Sequence, residues 1–137
     1  MSEFHARSFD PPRVRPAPRT LAGLTALGER REIELVAMTL VVAVKPQCRS
    51  CQTLLEGGAD DFGATPLVVV CAKTPSDDEW RDAQCEVLVA PGAMAALGIS
   101  SPPQFVVVDG RRSLVVGEGV FFTTAQVAGE IAPYFRP

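Results

Sequence analysis

"MTLVVAVKPQCRSCQTLLEGG", residues 38–58, decides how the rest of the chain is read. "MTLVVAV" (38–44) is an unbroken apolar run of strand length, rich in β-branched side chains that suit a strand buried on both faces. "SCQTLLEG" then reads as a short helix that stops at Gly57-Gly58. Between strand and helix stand Cys48 and Cys51, separated by Arg49 and Ser50. A thiol at the carboxyl end of a strand and the first turn of the following helix meets unpaired backbone N–H groups and the positive end of the helix dipole. Both lower its pKa. Cys48 is so placed, and the positive charge of Arg49 is expected to favour its thiolate further. Cys51, three residues on, shares the same helical face and is close enough to close a small disulfide ring. The chemistry this spacing points to is thiol–disulfide exchange, with Cys48 as nucleophile and Cys51 as resolving thiol.

Working outward, the chain extends the same architecture. "PLVVVCA" (66–72) reads as a second buried strand and "CEVLVA" (85–90) as a third. Between them "TPSDDEWRDAQ" predicts a helix, with Ser76 and Glu79 as a capping box. "PGAMAALG" predicts a short helix closed by Gly98. "QFVVVD" and "SLVVGEG", joined by "GRR", predict a β-hairpin. Thr123 and Gln126 cap a last helix with Val127, Ile131 and Phe135 on one face. Strand–helix alternation requires crossovers and hence parallel strands, to which the hairpin adds antiparallel ones. The fold class expected is α/β: a mixed central sheet with helices on both faces. "LAGLTALGERREIEL" (21–35) fits either a short helix or a pair of strands.

The 137 residues amount to one domain with core enough to need neither disulfide nor metal as a staple. Residues 1–20 form a Pro/Arg-rich arm expected to be poorly ordered, and 21–137 the folded domain. Over residues 1–19 four arginines against Glu3 and Asp10 leave about +2, so the remainder is near −5 within a net charge of −3. An acidic chain of this kind has no general attraction for nucleic acid or anionic lipid. "LVAMTLVVAV", the longest apolar stretch, is too short to span a bilayer, and no secretory h-region stands in the first residues. The chain as it stands reads as cytoplasmic, with an export or anchoring segment outside it left open. Four cysteines in a reducing compartment point to redox or metal chemistry rather than structural bridges.

Two segments, "VVAVKPQCRSC" (41–51) and "GISSPPQFVVVDG" (98–110), together with the closing hairpin and helix, resemble the thioredoxin superfamily, most closely its bacterial thioredoxin-like thiol–disulfide oxidoreductases, over about residues 33–137. The resemblance implies a thioredoxin-like fold, no cofactor, and two kinds of protein partner: thiol or disulfide substrates, and an electron donor or acceptor. It also implies a cis-proline facing the cysteines, matched here by Pro103, with Pro102 as the preceding residue whose backbone would meet substrate; Pro102 could itself be the cis residue. Members of that family often carry a Trp before the first cysteine and a buried acidic residue on the strand. Gln47 and Val42 stand at those positions. Because Pro102 has no N–H, the usual two-way backbone contact with substrate is incomplete here.

Two other readings compete. One is a thioredoxin-like binding module that does not turn its partners over. The other is zinc held by Cys48, Cys51, Cys71 and Cys85, which their spacing disfavours because Cys71 and Cys85 belong to strands rather than to a second Cys-x-x-Cys knuckle. On the favoured reading there is no metal site, Cys71 is a small buried hydrophobe, Cys85 is more exposed, His5 is solvated and Trp80 is a partial packing anchor.

Overall fold

The computed structural model describes residues 14–136. Eight strands form one sheet: β1 (Arg15–Pro16), β2 (Thr20–Leu24), β3 (Arg30–Glu34), β4 (Met38–Ala43), β5 (Leu67–Cys71), β6 (Val87–Val89), β7 (Gln104–Asp109) and β8 (Leu114–Val120). Their spatial order is β1-β8-β7-β4-β5-β6-β2-β3. β4, β5 and β6 run parallel, and β7 and β8 are an antiparallel hairpin added beside β4. The expected mixed sheet is therefore present, with β4 at its centre. Leu40 to Ala43 are wholly buried, as a β-branched run covered on both faces must be.

Helices α1 (Arg49–Leu55) and α3 (Thr124–Ile131) cover one face, and α2 (Pro91–Ala96) covers the other. Under α1 and α3, Cys51, Leu54, Leu55, Val127 and Ile131 pack on Leu40, Val42 and Val107. Under α2, Ala93, Met94 and Leu97 pack on Val41, Val70 and Val106. Alternate residues of β4 thus feed two separate cores. α1 stops because Gly57 turns left-handed at φ 118°, a conformation glycine adopts without a Cβ penalty. α3 carries the expected capping box, Thr123 and Gln126 bonding reciprocally to each other's backbone N–H.

The stretch 21–35 resolves as strands: β2 and β3 are an antiparallel hairpin, and β2 joins the sheet by pairing with β6. The Thr25 hydroxyl accepts from the N–H groups of Leu27 and Glu29 and so shapes the hairpin turn. Most of the expected N-terminal arm lies outside the described residues. Its last part is ordered: β1 pairs with β8, and Arg15 forms a bidentate ion pair with Glu118 while also donating to the Leu97 carbonyl.

One expected element is absent. Residues 74–84 are turns, not a helix. The Glu79 N–H donates to the Ser76 carbonyl and that of Ala83 to Trp80, each closing a single turn, and Trp80 is left-handed at φ 58°. The Gln84 N–H goes to the Leu55 carbonyl at the end of α1 instead of to a helical partner. The sequence SDDEWRDAQ has one large apolar side chain and so no apolar stripe to hold a short helix against a core. Trp80 packs inward with only the small Ala83 beside it, and the chain winds around them.

Candidate functional site

The register of the sheet brings the two recognised segments to one end. Ala43, the last residue of β4, pairs with Gln104, and Gln104 pairs with Val120. The residues that extend β4 lead to Cys48, and those that precede Gln104 are Pro102 and Pro103, so the cysteines and prolines leave the same end of two adjacent strands. The Pro102–Pro103 peptide is cis, so Pro103 is the cis residue. The Pro103 carbonyl accepts from the Phe121 N–H, which fastens the proline turn to the end of β8.

Cys48 is the N-cap of α1 and not its first helical residue. Its backbone is extended, and its Sγ accepts the Cys51 N–H at 3.3 Å, doing what a Ser or Asp side chain does at an ordinary N-cap. The Ser50 hydroxyl lies 3.3 Å from the same sulfur. Cys48 and Cys51 are joined in a disulfide with their Cα atoms 5.3 Å apart. Their surroundings differ: Cys48 is half-buried, whereas Cys51 is completely buried among Leu54, Leu55 and Val42. Solvent reaches Cys48 and not Cys51. Arg49 opens the helix and is exposed, as is Lys45 before the turn. Val42 is fully buried on the same side as Cys51, so no carboxylate from β4 reaches the resolving thiol.

The remaining cysteines stay apart from this pair. Cys71 is buried in β5, its Sγ donating to the Lys73 carbonyl, and burial pushes its thiol pKa up against the smaller pull of that bond. Cys85 is half-buried ahead of β6, and burial raises its pKa too. Among the described residues no three His, Cys, Asp or Glu side chains converge in a geometry that could hold a metal ion. His5 lies outside the described residues.

Two neighbours of the site were not read from the sequence as such. Gln47, immediately before Cys48, is left-handed at φ 57°, and its N–H donates to the Glu79 carboxylate at 3.4 Å. Glu79 had the signature of a helix cap; without that helix it reaches across to the cysteine turn. Gln126 is the other: its side chain accepts from the N–H groups of Phe122 and Thr123 and donates to the Val120 carbonyl, pinning the loop beside Pro103. Its capping-box spacing was legible, but not the reach back to Val120.

With the site laid out, the chain can be compared with known structures. It superposes on the thioredoxin domain of a thiol–disulfide oxidoreductase from Bacteroides vulgatus with a TM-score of 0.65 at 13% identity, covering 89% of this chain and 96% of that one. The fold is thioredoxin-like. A DsbF homologue from Corynebacterium diphtheriae matches with a TM-score of 0.63 at 15% identity over 93% of this chain and 90% of that one. A thiol:disulfide interchange protein of the thioredoxin family from Chlorobium tepidum gives 0.60 at 16% over 90% and 98%. No protein-family model matches the sequence. No curated protein is significantly similar to it. Among the described residues no helix is long and apolar enough to cross a membrane.

Proposed function

We propose that this chain is a thiol–disulfide oxidoreductase acting on protein partners, with Cys48 as nucleophile and Cys51 as resolving thiol. The observation that carries the reading is the Cys48–Cys51 disulfide at the start of α1, with one sulfur reachable and the other sealed in the core. The structural neighbours named as thiol–disulfide proteins support it.

In the reducing direction the Cys48 thiolate attacks one sulfur of a substrate disulfide. That S–S bond breaks, a mixed disulfide forms, and the first substrate sulfur leaves as a thiolate that takes a proton from water. Cys51 then gives up its proton and attacks the Cys48 sulfur, which releases the second substrate thiol and restores the disulfide seen here. Two electrons pass from the pair to the substrate, and a dithiol partner returns them by the reverse steps. At the N-cap, Cys48 has the Cys51 N–H aimed at its sulfur, a bond that strengthens when the sulfur is charged. Arg49 adds positive charge nearby. Pro102 offers a carbonyl to an extended substrate but no N–H, so its side of the contact is acceptor-only. Whether the pair reduces or oxidises depends on its potential against that of its compartment.

The test is trapping. Cys51→Ser removes the resolving thiol, so a mixed disulfide between Cys48 and substrate should accumulate and disappear on adding dithiothreitol. A Cys51→Ser protein that forms no such adduct with any disulfide protein, including insulin, would leave the binding-module reading in its place.

A further inference from the structure

Between the β2–β3 hairpin and the turns of residues 74–86 lies a groove of about 490 Å³, within the range of ordinary ligand pockets. Leu27, Val89 and the Trp80 indole form apolar walls, Glu29 and Glu79 bring carboxylates, and the half-buried thiol of Cys85 opens into it. Two features set this groove apart from a simple surface dent. Leu27 is 85% exposed at the tip of a turn held in shape by Thr25, an apolar side chain presented to solvent on a rigid mount. Glu29 and Glu79 form no salt bridge among the described residues, whereas Glu86 beside them is paired with Arg31.

These requirements define an occupant. Aliphatic side chains match Leu27 and Val89, and a basic side chain on the same segment answers the two carboxylates that have no ion-pair partner. One end of the groove touches the redox turn, because the Glu79 carboxylate that lines it also accepts the N–H of Gln47. Gln47 and Trp80, both left-handed, are thus linked through Glu79, so the backbone strain on the two sides of the contact belongs to one unit.

We propose that this groove docks a basic–apolar peptide segment of the protein that exchanges disulfides with Cys48, a second contact beside the cysteine turn and separate from the Pro102–Pro103 edge. The partner's identity rests on the redox reading above; the binding itself does not.

Trp80 is the only tryptophan in the chain, so its fluorescence reports occupancy directly. The oxidised wild-type protein is titrated with acetyl-Leu-Arg-Leu-amide and with acetyl-Leu-Glu-Leu-amide. The basic peptide should shift the emission to saturation and slow N-ethylmaleimide labelling of Cys85. The acidic one should bind at least about tenfold more weakly, and so should the basic peptide on Leu27→Asp or Glu29→Lys, two changes at an exposed turn. No shift with either peptide, equal binding of the two, or undiminished binding to both variants would overturn the proposal. Insulin reduction by the same preparation separates the two readings: peptide binding with no reductase activity removes the redox partner and with it the proposal, while activity without peptide binding removes the groove alone.

Discussion

The chain's four cysteines stand in two regions of the fold, two at the start of a helix and two along the sheet. Cys48 and Cys51 sit where a strand hands over to a helix, and a backbone N–H points at the Cys48 sulfur. Cys71 and Cys85 sit on β5 and ahead of β6, where apolar packing pushes their thiols toward the neutral form. All four are the same chemical group in one small domain. What sets Cys48 apart from Cys71 and Cys85 is a backbone donor aimed at its sulfur.

The contrast is broken most severely by substitution. Cys48→Ser should reduce disulfide exchange with insulin to the uncatalysed background. Cys71→Ala should keep the activity while costing about 1 kcal/mol of stability from the small cavity it leaves, read by chemical denaturation. Loss of exchange in Cys71→Ala with the fold intact would mean that the two pairs are not independent.

Next in size is the pH dependence of alkylation in the reduced protein. An ordinary thiol titrates near 8.5, and each unit of displacement changes the thiolate fraction about tenfold. Iodoacetamide at neutral pH should therefore label Cys48 first, with Cys71 and Cys85 reacting only above the ordinary range. Mass spectrometry of the labelled peptides gives the order, and simultaneous labelling of Cys48 and Cys85 would erase the distinction.

The buried thiols also leave a mark on stability. In the unfolded chain Cys71 and Cys85 lose their protons near pH 8.5, while in the folded protein they hold them to higher pH. Above that point the unfolded state binds fewer protons, so stability falls as pH rises and levels off once the folded thiols ionise as well. The loss should be smaller in Cys71→Ala than in the wild type, as seen in denaturation midpoints between pH 8 and 10.

The smallest effect is expected at Arg49. Its side chain is exposed, so solvent and salt screen it, and Arg49→Glu should raise the pH of Cys48 alkylation by only some tenths of a unit at low ionic strength. An unchanged profile would assign the activation of Cys48 to the backbone alone.

The parts of the fold legible from the sequence were those where one local signal had no rival. The run from Met38 to Val44 is apolar but for Thr39 and too short for a membrane helix, and the capping box at Thr123 and Gln126 coincides with an apolar stripe at Val127 and Ile131. The segment from Leu21 to Leu35 stayed open because its hydrophobic spacing suits both periods; pairing of β2 with β6 decided it, a contact some 65 residues away in the chain. The stretch around Trp80 misled because Ser76 and Glu79 carry a helix-start signature while nothing after them supplies an apolar face. At the site, the two cysteines and the two prolines were readable from their spacing and their resemblance. Glu79 was not, since its link to Gln47 exists only once that helix is absent.

The two outer strands carry a further consequence. β3, at one margin of the sheet, reads RREIE, and β1, at the other, is an Arg-Pro dipeptide laid along β8. A bare strand at either margin would be a template on which a second molecule could extend the ladder. Charged side chains and a proline, which lacks the N–H such a ladder needs, discourage that annealing. On the function proposed above, a domain that meets other proteins through one sulfur is thereby discouraged from annealing with copies of itself along these two strands.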